Sequence, residues 1–511
     1  KRMASSVADA RKAAAALLLL IAFVAQPTEA IPAKPHYFSN FVDHFSARSD
    51  RYPQRYYVNE SAFGGPGSPI LVILGGEGAI PPEEGIFYPF VTDVMAVEMK
   101  ALVLEPEHRY YGTSVPDNST LALLTPQQAL TDAAHFISAM RERYNCSGIK
   151  GSPRCPVVTL GGSYPGWMSA MMRLRYPGVV DMAYAASAPM KFYAQEVDQY
   201  EYYKIITDVA EQAFPGCPSA VRYVLNETLL QSKSKAEIVK GLGICEPLPK
   251  YMEQGDVQLL RDEISMVVSY TFANLNMGNY PPPDTDLKRA CSMLVKMHKD
   301  DAFAALRAFL QGQYLAKSTK TLKKLEGPAA CYDLSSQLPA GPNATISSGD
   351  WSGVGTGMNG QSWDFETCNF LVEQIGTNFV TDMFPKRAWT MDWLRNHCSS
   401  RFGSNGIPRP HELADLWGFS TESLADAGAS RIIFTNGLRD GWSAGGIQKN
   451  LSDTLVAINI EDGAHHSDLS HNPPSSADTA AVQKARAQAV EILSGWLKDL
   501  RNEGNNTRST S

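Results

Sequence analysis

The chain has 511 residues, of which 44% are hydrophobic and 19% are charged, a composition typical of globular proteins. Its 46 basic and 53 acidic residues give a net charge of −7, without the basic excess that nucleic-acid binding requires. Fibrous, low-complexity and nucleic-acid-binding proteins are therefore excluded. A chain of this length predicts either several domains or one domain that carries a large insertion.

The first 30 residues are typical of a secretory signal peptide. Arg11 and Lys12 precede an apolar run over residues 13–25, and Ala30 places a small residue at a suitable cleavage site. A membrane anchor is the alternative, but this run is shorter than the ~20 residues that span a bilayer. The sequence predicts a signal peptide at residues 1–30 and no membrane span in the mature protein.

Cysteines and glycosylation acceptors also indicate the secretory pathway. The eight cysteines form no C-x-x-C pair, which disfavours a zinc or redox motif and predicts disulfides of unknown connectivity. The N-x-S/T acceptor sequences begin at Asn59, Asn118, Asn145, Asn226, Asn343, Asn450 and Asn505. Together these features predict a glycoprotein of the lysosome, the vacuole or the extracellular space.

From residue 68 the chain alternates between predicted strands and helices. Continuous apolar runs predict buried strands at 70–74 and 101–104, and strand-like runs follow at 157–160, 431–435 and 454–460, with another that ends near residue 186. A helix begins with Thr125 as N-cap, Pro126 at its first position and Gln128 completing a capping box. A last helix is predicted over residues 479–500 from its apolar spacing.

The alternation is interrupted by a long helical region that contains six of the eight cysteines. The simplest interpretation is an α/β protein whose core comprises residues 31–198 and 403–511. Residues 199–402 are predicted to form an inserted helical domain that disulfides hold together. Such alternation predicts a parallel sheet with helices on both faces.

Ser163 lies on a glycine-rich turn between a predicted strand and a predicted helix. The segment Gly161–Gly166 resembles a G-x-S-x-G nucleophile elbow, except that Pro165 stands at the second glycine position. Proline is accommodated there because the first helical turn does not need its N–H. A passive serine in an ordinary glycine turn is the alternative. The backbone N–H of Tyr164 is a candidate oxyanion donor.

A nucleophilic serine needs a base and an acid that orients the base, which in α/β-hydrolases follow it in the order acid, histidine. Asp440 follows the predicted strand 431–435, and His465 follows the predicted strand 454–460. Loops at the carboxyl ends of parallel strands gather at one edge of the sheet. Asp462 and Asp468 are alternative orienting acids, but their proximity to His465 in sequence favours local roles. The neighbouring His466 is expected to have a structural role.

Several separated segments resemble the prolyl carboxypeptidase and dipeptidyl-peptidase II family of serine peptidases. They occur in order between about residues 38 and 469 and include Asp43-His44-Phe45, Gln54-Arg55-Tyr56, Glu107-His108-Arg109-Tyr110-Tyr111-Gly112, Gly161-Gly162-Ser163-Tyr164, Asp382-Met383-Phe384-Pro385, Pro408-Arg409-Pro410, Asn436-Gly437 with Asp440 and Trp442, and Gly463-Ala464-His465-His466. Two positions depart from the family pattern, Pro165 and the Gly441 that follows the acid.

The resemblance implies an α/β-hydrolase core with a helical lid and a serine exopeptidase that cleaves after proline. It assigns Ser163 as nucleophile, Asp440 as orienting acid and His465 as base. Tyr164 and Gly76, the latter in the Gly75–Gly78 loop, are the expected oxyanion donors, and an ordinary glycine turn is the alternative for this loop. Neither a metal nor a cofactor is expected for this chemistry.

The function retains alternatives at this stage. The same triad serves a lid-bearing secreted esterase or lipase, and a non-catalytic glycoprotein could keep the fold. A carboxypeptidase would bind the free carboxylate of its peptide substrate with a cation, whereas a dipeptidyl peptidase would bind the free amine with a carboxylate. Which terminus is recognised stays open, as does the oligomeric state, with which a homodimer is compatible.

Overall fold

The structure is a computed structural model. It describes residues 34–82, 85–116, 120–149, 152–315, 331–334, 358–417, 420–421, 423–470 and 472–509. The predicted signal peptide at residues 1–30 lies outside the described residues. Among the described helices, none combines the length and apolar character needed to cross a membrane.

A single eight-stranded sheet forms the centre of the molecule. Its strands are β1 His36–Phe41, β2 Arg51–Asn59, β3 Ile70–Ile73, β4 Leu102–Pro106, β5 Val157–Gly162, β6 Met182–Ala186, β7 Ile432–Gly437 and β8 Leu455–Ile460. Their spatial order is β1-β2-β4-β3-β5-β6-β7-β8. Strand β2 pairs antiparallel with both of its neighbours, and the strands from β4 to β8 are mutually parallel.

Both faces of the parallel strands β3 to β7 are buried, as their apolar sequences predicted, whereas the edge strand β8 is partly exposed. In β3, Ile70 and Val72 belong to one hydrophobic cluster, whereas Leu71 and Ile73 belong to another on the opposite face. This division follows from the two-residue period of a strand. The predicted parallel strands are confirmed with boundary shifts of up to two residues. The sequence prediction missed β1 and β2.

Helices cover the two faces of the sheet. Those outside the region between β6 and β7 are α1 Ala96–Met99, α2 Pro126–Arg143, α3 Tyr164–Arg175 and α16 Ala480–Ser509. Thr125 caps α2 as predicted, since its side chain accepts the N–H of Gln128 at 3.2 Å. The second predicted bond of the capping box, between the side chain of Gln128 and the N–H of Thr125, is wrong. The side chain of Gln128 instead accepts the N–H of His44 and donates to Asp43.

The described residues between β6 and β7 contain helices and contribute no strand to the sheet. These helices are α4 Met190–Tyr193, α5 Glu201–Ala213, α6 Cys217–Leu225, α7 Lys235–Leu242, α8 Lys250–Gln254, α9 Val257–Met277, α10 Asp286–Met297, α11 Ala302–Leu310, α12 Met358–Asn369, α13 Met391–Phe402, α14 Glu412–Trp417 and α15 Ser423–Asp426. The protein therefore has an α/β-hydrolase core interrupted by a helical insertion.

All eight cysteines are paired in disulfides. Three of the bonds staple the helical insertion, and the fourth closes a short loop after α2. The pairs are Cys146–Cys155, Cys217–Cys291, Cys245–Cys331 and Cys368–Cys398. The expected disulfides are therefore confirmed, and the structure supplies the pairing that the sequence left open.

Candidate active site

Ser163 occupies a tight turn between β5 and α3. Its backbone has φ 64° and ψ −131°, a conformation that a non-glycine residue adopts only when its surroundings enforce it. The N–H of Ser163 donates to the carbonyl of Ala186 at 2.8 Å, which ties the turn to β6. Gly161 is required here because a Cβ at this position would lie 2.4 Å from the backbone of Pro165. The sequence thus forms a nucleophile-elbow geometry despite the proline.

Asp440 and His465 come together from the loops that follow β7 and β8. Nδ1 of His465 lies 2.6 Å from Oδ2 of Asp440, whose side chain is fully buried. The two loops approach closely because Gly437 has no side chain, and a Cβ there would lie 2.1 Å from the carbonyl oxygen of Ala464. This pair can hold an imidazole with Nε2 available as a proton acceptor.

The alternative orienting acids have other partners. Asp462 accepts a hydrogen bond from the hydroxyl of Thr479 at 2.9 Å. Asp468 accepts hydrogen bonds from the hydroxyls of Tyr184 and Thr435 at 2.5 and 2.7 Å. Asp440 is thus the carboxylate bonded to His465. The expected local role is wrong for Asp468, because this buried side chain bonds to β6 and β7, which lie far from it in sequence.

Ser163, His465, His466 and Gly76 line one cavity of about 420 Å³. Its wall combines aromatic side chains from the core and the helical insertion with a few charged groups. These are Tyr193, Tyr202, Trp363, Trp389, Trp393 and Trp442, with Glu77, Asp364, Glu373 and Arg387. A mostly apolar cavity with few polar groups is typical of a small-ligand site, and its size suits the end of a peptide.

The two expected oxyanion donors lie beside the serine turn. Tyr164 is the first residue of α3, so its N–H has no acceptor within the helix. This N–H lies at the positive end of the helix dipole. Gly76 packs against this helix start, where a Cβ would lie 2.5 Å from Cγ of Pro165. These positions suit stabilisation of an anion near Ser163.

Two carboxyl groups of the cavity have pKa values that are raised. Burial and, to a lesser extent, the charge of Glu77 raise the pKa of Glu373 to about 8, against a hydrogen bond from Tyr193. Burial also raises the pKa of Glu77, against its own backbone N–H and the charge of His465. Oε1 of Glu373 is buried without a hydrogen-bond partner among the described residues. Glu373 is therefore largely neutral at acidic and neutral pH.

The segment from Glu105 to Gly112, which contains one of the motifs that resemble the family, contributes no residue to the cavity. Arg109 instead forms a buried, two-pronged ion pair with Asp132, at 2.6 and 2.9 Å. His108 packs behind Tyr164, with ring centroids 5.6 Å apart. The segment therefore supports the serine turn from behind.

One group of potential metal ligands comes together in the described residues, formed by Asp364, Cys368 and His397. The sulfur of Cys368 is bonded to Cys398, and the carboxylate of Asp364 forms an ion pair with Arg401. The group therefore lacks a thiolate and a free carboxylate and does not fit a metal site.

Comparisons with known proteins identify the family of this chain. The serine carboxypeptidase S28 family model matches residues 40–489. The chain belongs to the S28 family of serine peptidases. It is 32% identical to a mouse lysosomal Pro-X carboxypeptidase over 91% of this chain and 89% of that protein. It is 30% identical to the human lysosomal Pro-X carboxypeptidase, covering 91% and 88%, and 25% identical to the human thymus-specific serine protease, covering 92% and 88%.

In this S28 peptidase, sequence reasoning missed supporting residues that come from the helical insertion. Asn276, on α9, accepts the N–H of Gly441 at 2.9 Å and donates to the carbonyl of Arg439 at 2.9 Å. Glu366, on α12, contacts the side chain of Tyr164. Both residues are fully buried polar groups in a helical segment without any local motif. No signal in the sequence pointed to them.

Proposed function

We propose that this S28 serine peptidase is an exopeptidase that cleaves peptides after proline through a Ser163–His465–Asp440 triad. The observation that carries the proposal is the 2.6 Å contact between His465 and Asp440 in a cavity that Ser163 also lines. The strained backbone of Ser163 adds support, since such strain is characteristic of a nucleophile elbow. The family assignment favours a peptidase over the esterase or lipase alternative.

In the proposed mechanism, Oγ of Ser163 attacks the scissile carbonyl while Nε2 of His465 takes its proton. Asp440 accepts the Nδ1 proton of His465 in a hydrogen bond and stabilises the imidazolium. The backbone N–H groups of Tyr164 and Gly76 hold the oxyanion. His465 then protonates the leaving amine, and water hydrolyses the acyl-enzyme by the same steps in reverse order.

Aromatic walls support the preference for proline. Trp442 packs against Phe192 and Tyr202, with ring centroids 5.4 and 4.9 Å apart, and all three lie close to the Asp440 turn. Rigid aromatic faces pack well against the apolar pyrrolidine ring of proline, and this packing does not need the backbone N–H that proline lacks. We propose that residues 199–402 form a lid over this cavity, between core segments 31–198 and 403–511, and exclude long chains.

The free carboxylate is the terminus that we propose for recognition, which makes the enzyme a Pro-X carboxypeptidase. The relatives named lysosomal Pro-X carboxypeptidases support this choice. Arg387 supports it independently, because it brings a guanidinium to the cavity wall and guanidinium pairs well with carboxylate. We also propose that the protein enters the secretory pathway, loses its signal peptide and reaches the lysosome. The four disulfides support the secretory pathway, and the lysosomal relatives support the destination.

Dipeptidyl peptidase activity is the second candidate, and Glu77 and Glu373 favour it. Glu77 and Glu373 line the same cavity, and an ammonium group bound beside them would stabilise the charged forms of these buried carboxyls. The buried Oε1 of Glu373 also lacks a donor among the described residues, and a substrate amine would supply one.

Matched peptides separate the two candidates. An acyl-Pro-Phe substrate has only a free carboxylate, and an Ala-Pro coumarin amide has only a free amine. We expect release of Phe from the first, little cleavage of the second, and no cleavage by Ser163→Ala. Acyl-Ala-Phe is the control for proline, and acyl-Pro-Phe amide is the control for the carboxylate. Preferential cleavage of the coumarin amide would replace the carboxypeptidase assignment with the dipeptidyl peptidase.

A further inference from the structure

Glu366 is a fully buried carboxyl group that connects the helical insertion to the serine turn. It lies on α12, and its Oε2 accepts the hydroxyl of Tyr111 at 2.6 Å. Its Oε1 lies 3.3 Å from the hydroxyl oxygen of Tyr164, the residue that follows Ser163. Trp363, on the same helix, packs against the ring of Tyr164 with centroids 5.5 Å apart. Helix α12 therefore holds Tyr164 by a polar and an aromatic contact.

The hydrogen bonds around Glu366 assign it a proton. Nδ1 of His108 lies 2.8 Å from the carbonyl oxygen of Arg109, which only accepts, so this nitrogen carries the ring proton of a neutral imidazole. Nε2 is then an acceptor, and the hydroxyl of Tyr164 donates to it at 3.2 Å. That hydroxyl has one proton. Its contact with Oε1 of Glu366 is therefore a hydrogen bond only if the carboxyl donates.

The electrostatic surroundings agree with a neutral carboxyl. Burial and, to a lesser extent, the charge of Glu77 raise the pKa of Glu366 to about 8, although the hydrogen bond from the hydroxyl of Tyr111 opposes the shift. The charge of Arg109 also lowers this pKa, but Arg109 is already paired with Asp132. Two further titratable groups among the described residues face Glu366: His108, whose Nε2 lies 4.0 Å from Oε1 of Glu366, and Tyr193. Burial lowers the pKa of His108 to about 4, so His108 supplies no compensating charge at neutral pH.

We propose that Glu366 is a positioning residue whose proton ties α12 to Tyr164 and holds the serine turn in its reactive geometry. Loss of this proton would draw the Tyr164 hydroxyl away from His108 and leave a buried charge beside the turn. Because the N–H of Tyr164 is the proposed oxyanion donor, its displacement lowers kcat rather than substrate affinity. The ionisation of Glu366 therefore sets the alkaline limit of activity.

Glu366→Gln tests this proposal directly. The amide donates to Tyr164 and accepts from Tyr111, but it cannot ionise. We expect the wild-type kcat to fall by about tenfold for each pH unit above about pH 8, as one ionisation requires. The ratio of kcat at pH 9.5 to kcat at pH 6.5 should then be at least tenfold higher in Glu366→Gln. Glu98→Gln, at an exposed position, is the matched control and should keep the wild-type ratio.

The rate at which a fluorophosphonate labels Ser163 provides a second measurement. It depends on the serine and its oxyanion donors, so it decides this proposal even if the proline specificity proposed above is wrong. Coincident alkaline limbs for the wild type and Glu366→Gln would overturn the proposal. If Glu366→Gln does not fold, Tyr164→Phe replaces it. We expect this variant to show a lower kcat at pH 6.5 with an unchanged KM, and an unchanged kcat would also overturn the proposal.

Discussion

The side-chain oxygen of Asn276 accepts a hydrogen bond from the backbone N–H of Gly441 at 2.9 Å. The same side chain donates to the carbonyl of Arg439, so it holds both ends of the turn that carries Asp440. Trp442 also donates its indole N–H to the sulfur of Met277, the last residue of α9. The helical insertion therefore braces the turn that carries Asp440, the acid of the proposed triad.

Asn276→Ala should impair both stability and turnover. The substitution leaves a buried N–H and a buried carbonyl without partners, which costs about 1–3 kcal/mol. The Asp440 turn then relaxes, and we expect kcat to fall by about 10- to 100-fold because small misplacements are costly in active sites. Asn274→Ala, at an exposed position on the same helix, is the control. Urea denaturation and steady-state kinetics measure the two effects, and wild-type kinetics in Asn276→Ala would contradict the bracing role.

The difference between predicted and missed features has a physical basis. Parallel strands such as β5 and β7 could be predicted because burial on both faces gives continuous apolar runs. Strand β2 could not, since Arg51, Pro53 and Gln54 interrupt any apolar pattern and Pro53 faces Ser39 of β1 in an antiparallel pair. β2 forms because it pairs with β1 and β4, and such pairing between distant residues leaves no pattern in the local sequence.

The same reasoning applies to the site. Ser163, Asp440 and His465 follow strands at the carboxyl edge of the sheet, so their shared location could be predicted from the strand pattern. Asn276 and Glu366 lie far from these residues in sequence and act through tertiary packing. A polar residue on a helix does not reveal from its local sequence that it will be buried against another loop. Their roles emerge only from three-dimensional contacts.

Asp440→Asn should abolish most activity while leaving the fold intact. An amide at this position favours the wrong tautomer of His465 and cannot stabilise the imidazolium, so we expect kcat to fall by about 10³- to 10⁴-fold. Asp462→Asn is the matched control, because Asp462 contacts Thr479 rather than His465. Kinetics on acyl-Pro-Phe and circular dichroism check the result. Loss of activity in Asp462→Asn but not in Asp440→Asn would show that Asp440 is not the acid that orients His465.

Gly161→Ala should disrupt the serine turn. The new Cβ would lie 2.4 Å from the backbone of Pro165, which cannot move without shifting the start of α3. We expect fluorophosphonate labelling of Ser163 to fall at least about tenfold, because the turn no longer presents its hydroxyl correctly. Gly495→Ala, in the helix α16 and without neighbours within 4 Å of the new atom, should instead be neutral or stabilising by up to about 1 kcal/mol. Equal labelling of both variants would contradict the steric argument.

Asp132→Asn should destabilise the core behind the active site in a pH-dependent way. Burial tends to raise the pKa of Asp132, but the charge of Arg109 and hydrogen bonds from His44 and Arg109 lower it overall. A lowered pKa means that the carboxylate stabilises the fold above about pH 4 and that this contribution is lost as the pH falls through the folded-state pKa.

At pH 7, Asp132→Asn leaves Arg109 buried without its partner, which should cost about 3–5 kcal/mol of folding stability. Chemical denaturation at pH 7 and at pH 3 measures this cost, with the exposed Asp453→Asn as control. The difference between the wild type and Asp132→Asn should shrink at pH 3, and a difference that is constant with pH would show that the ion pair is not its source.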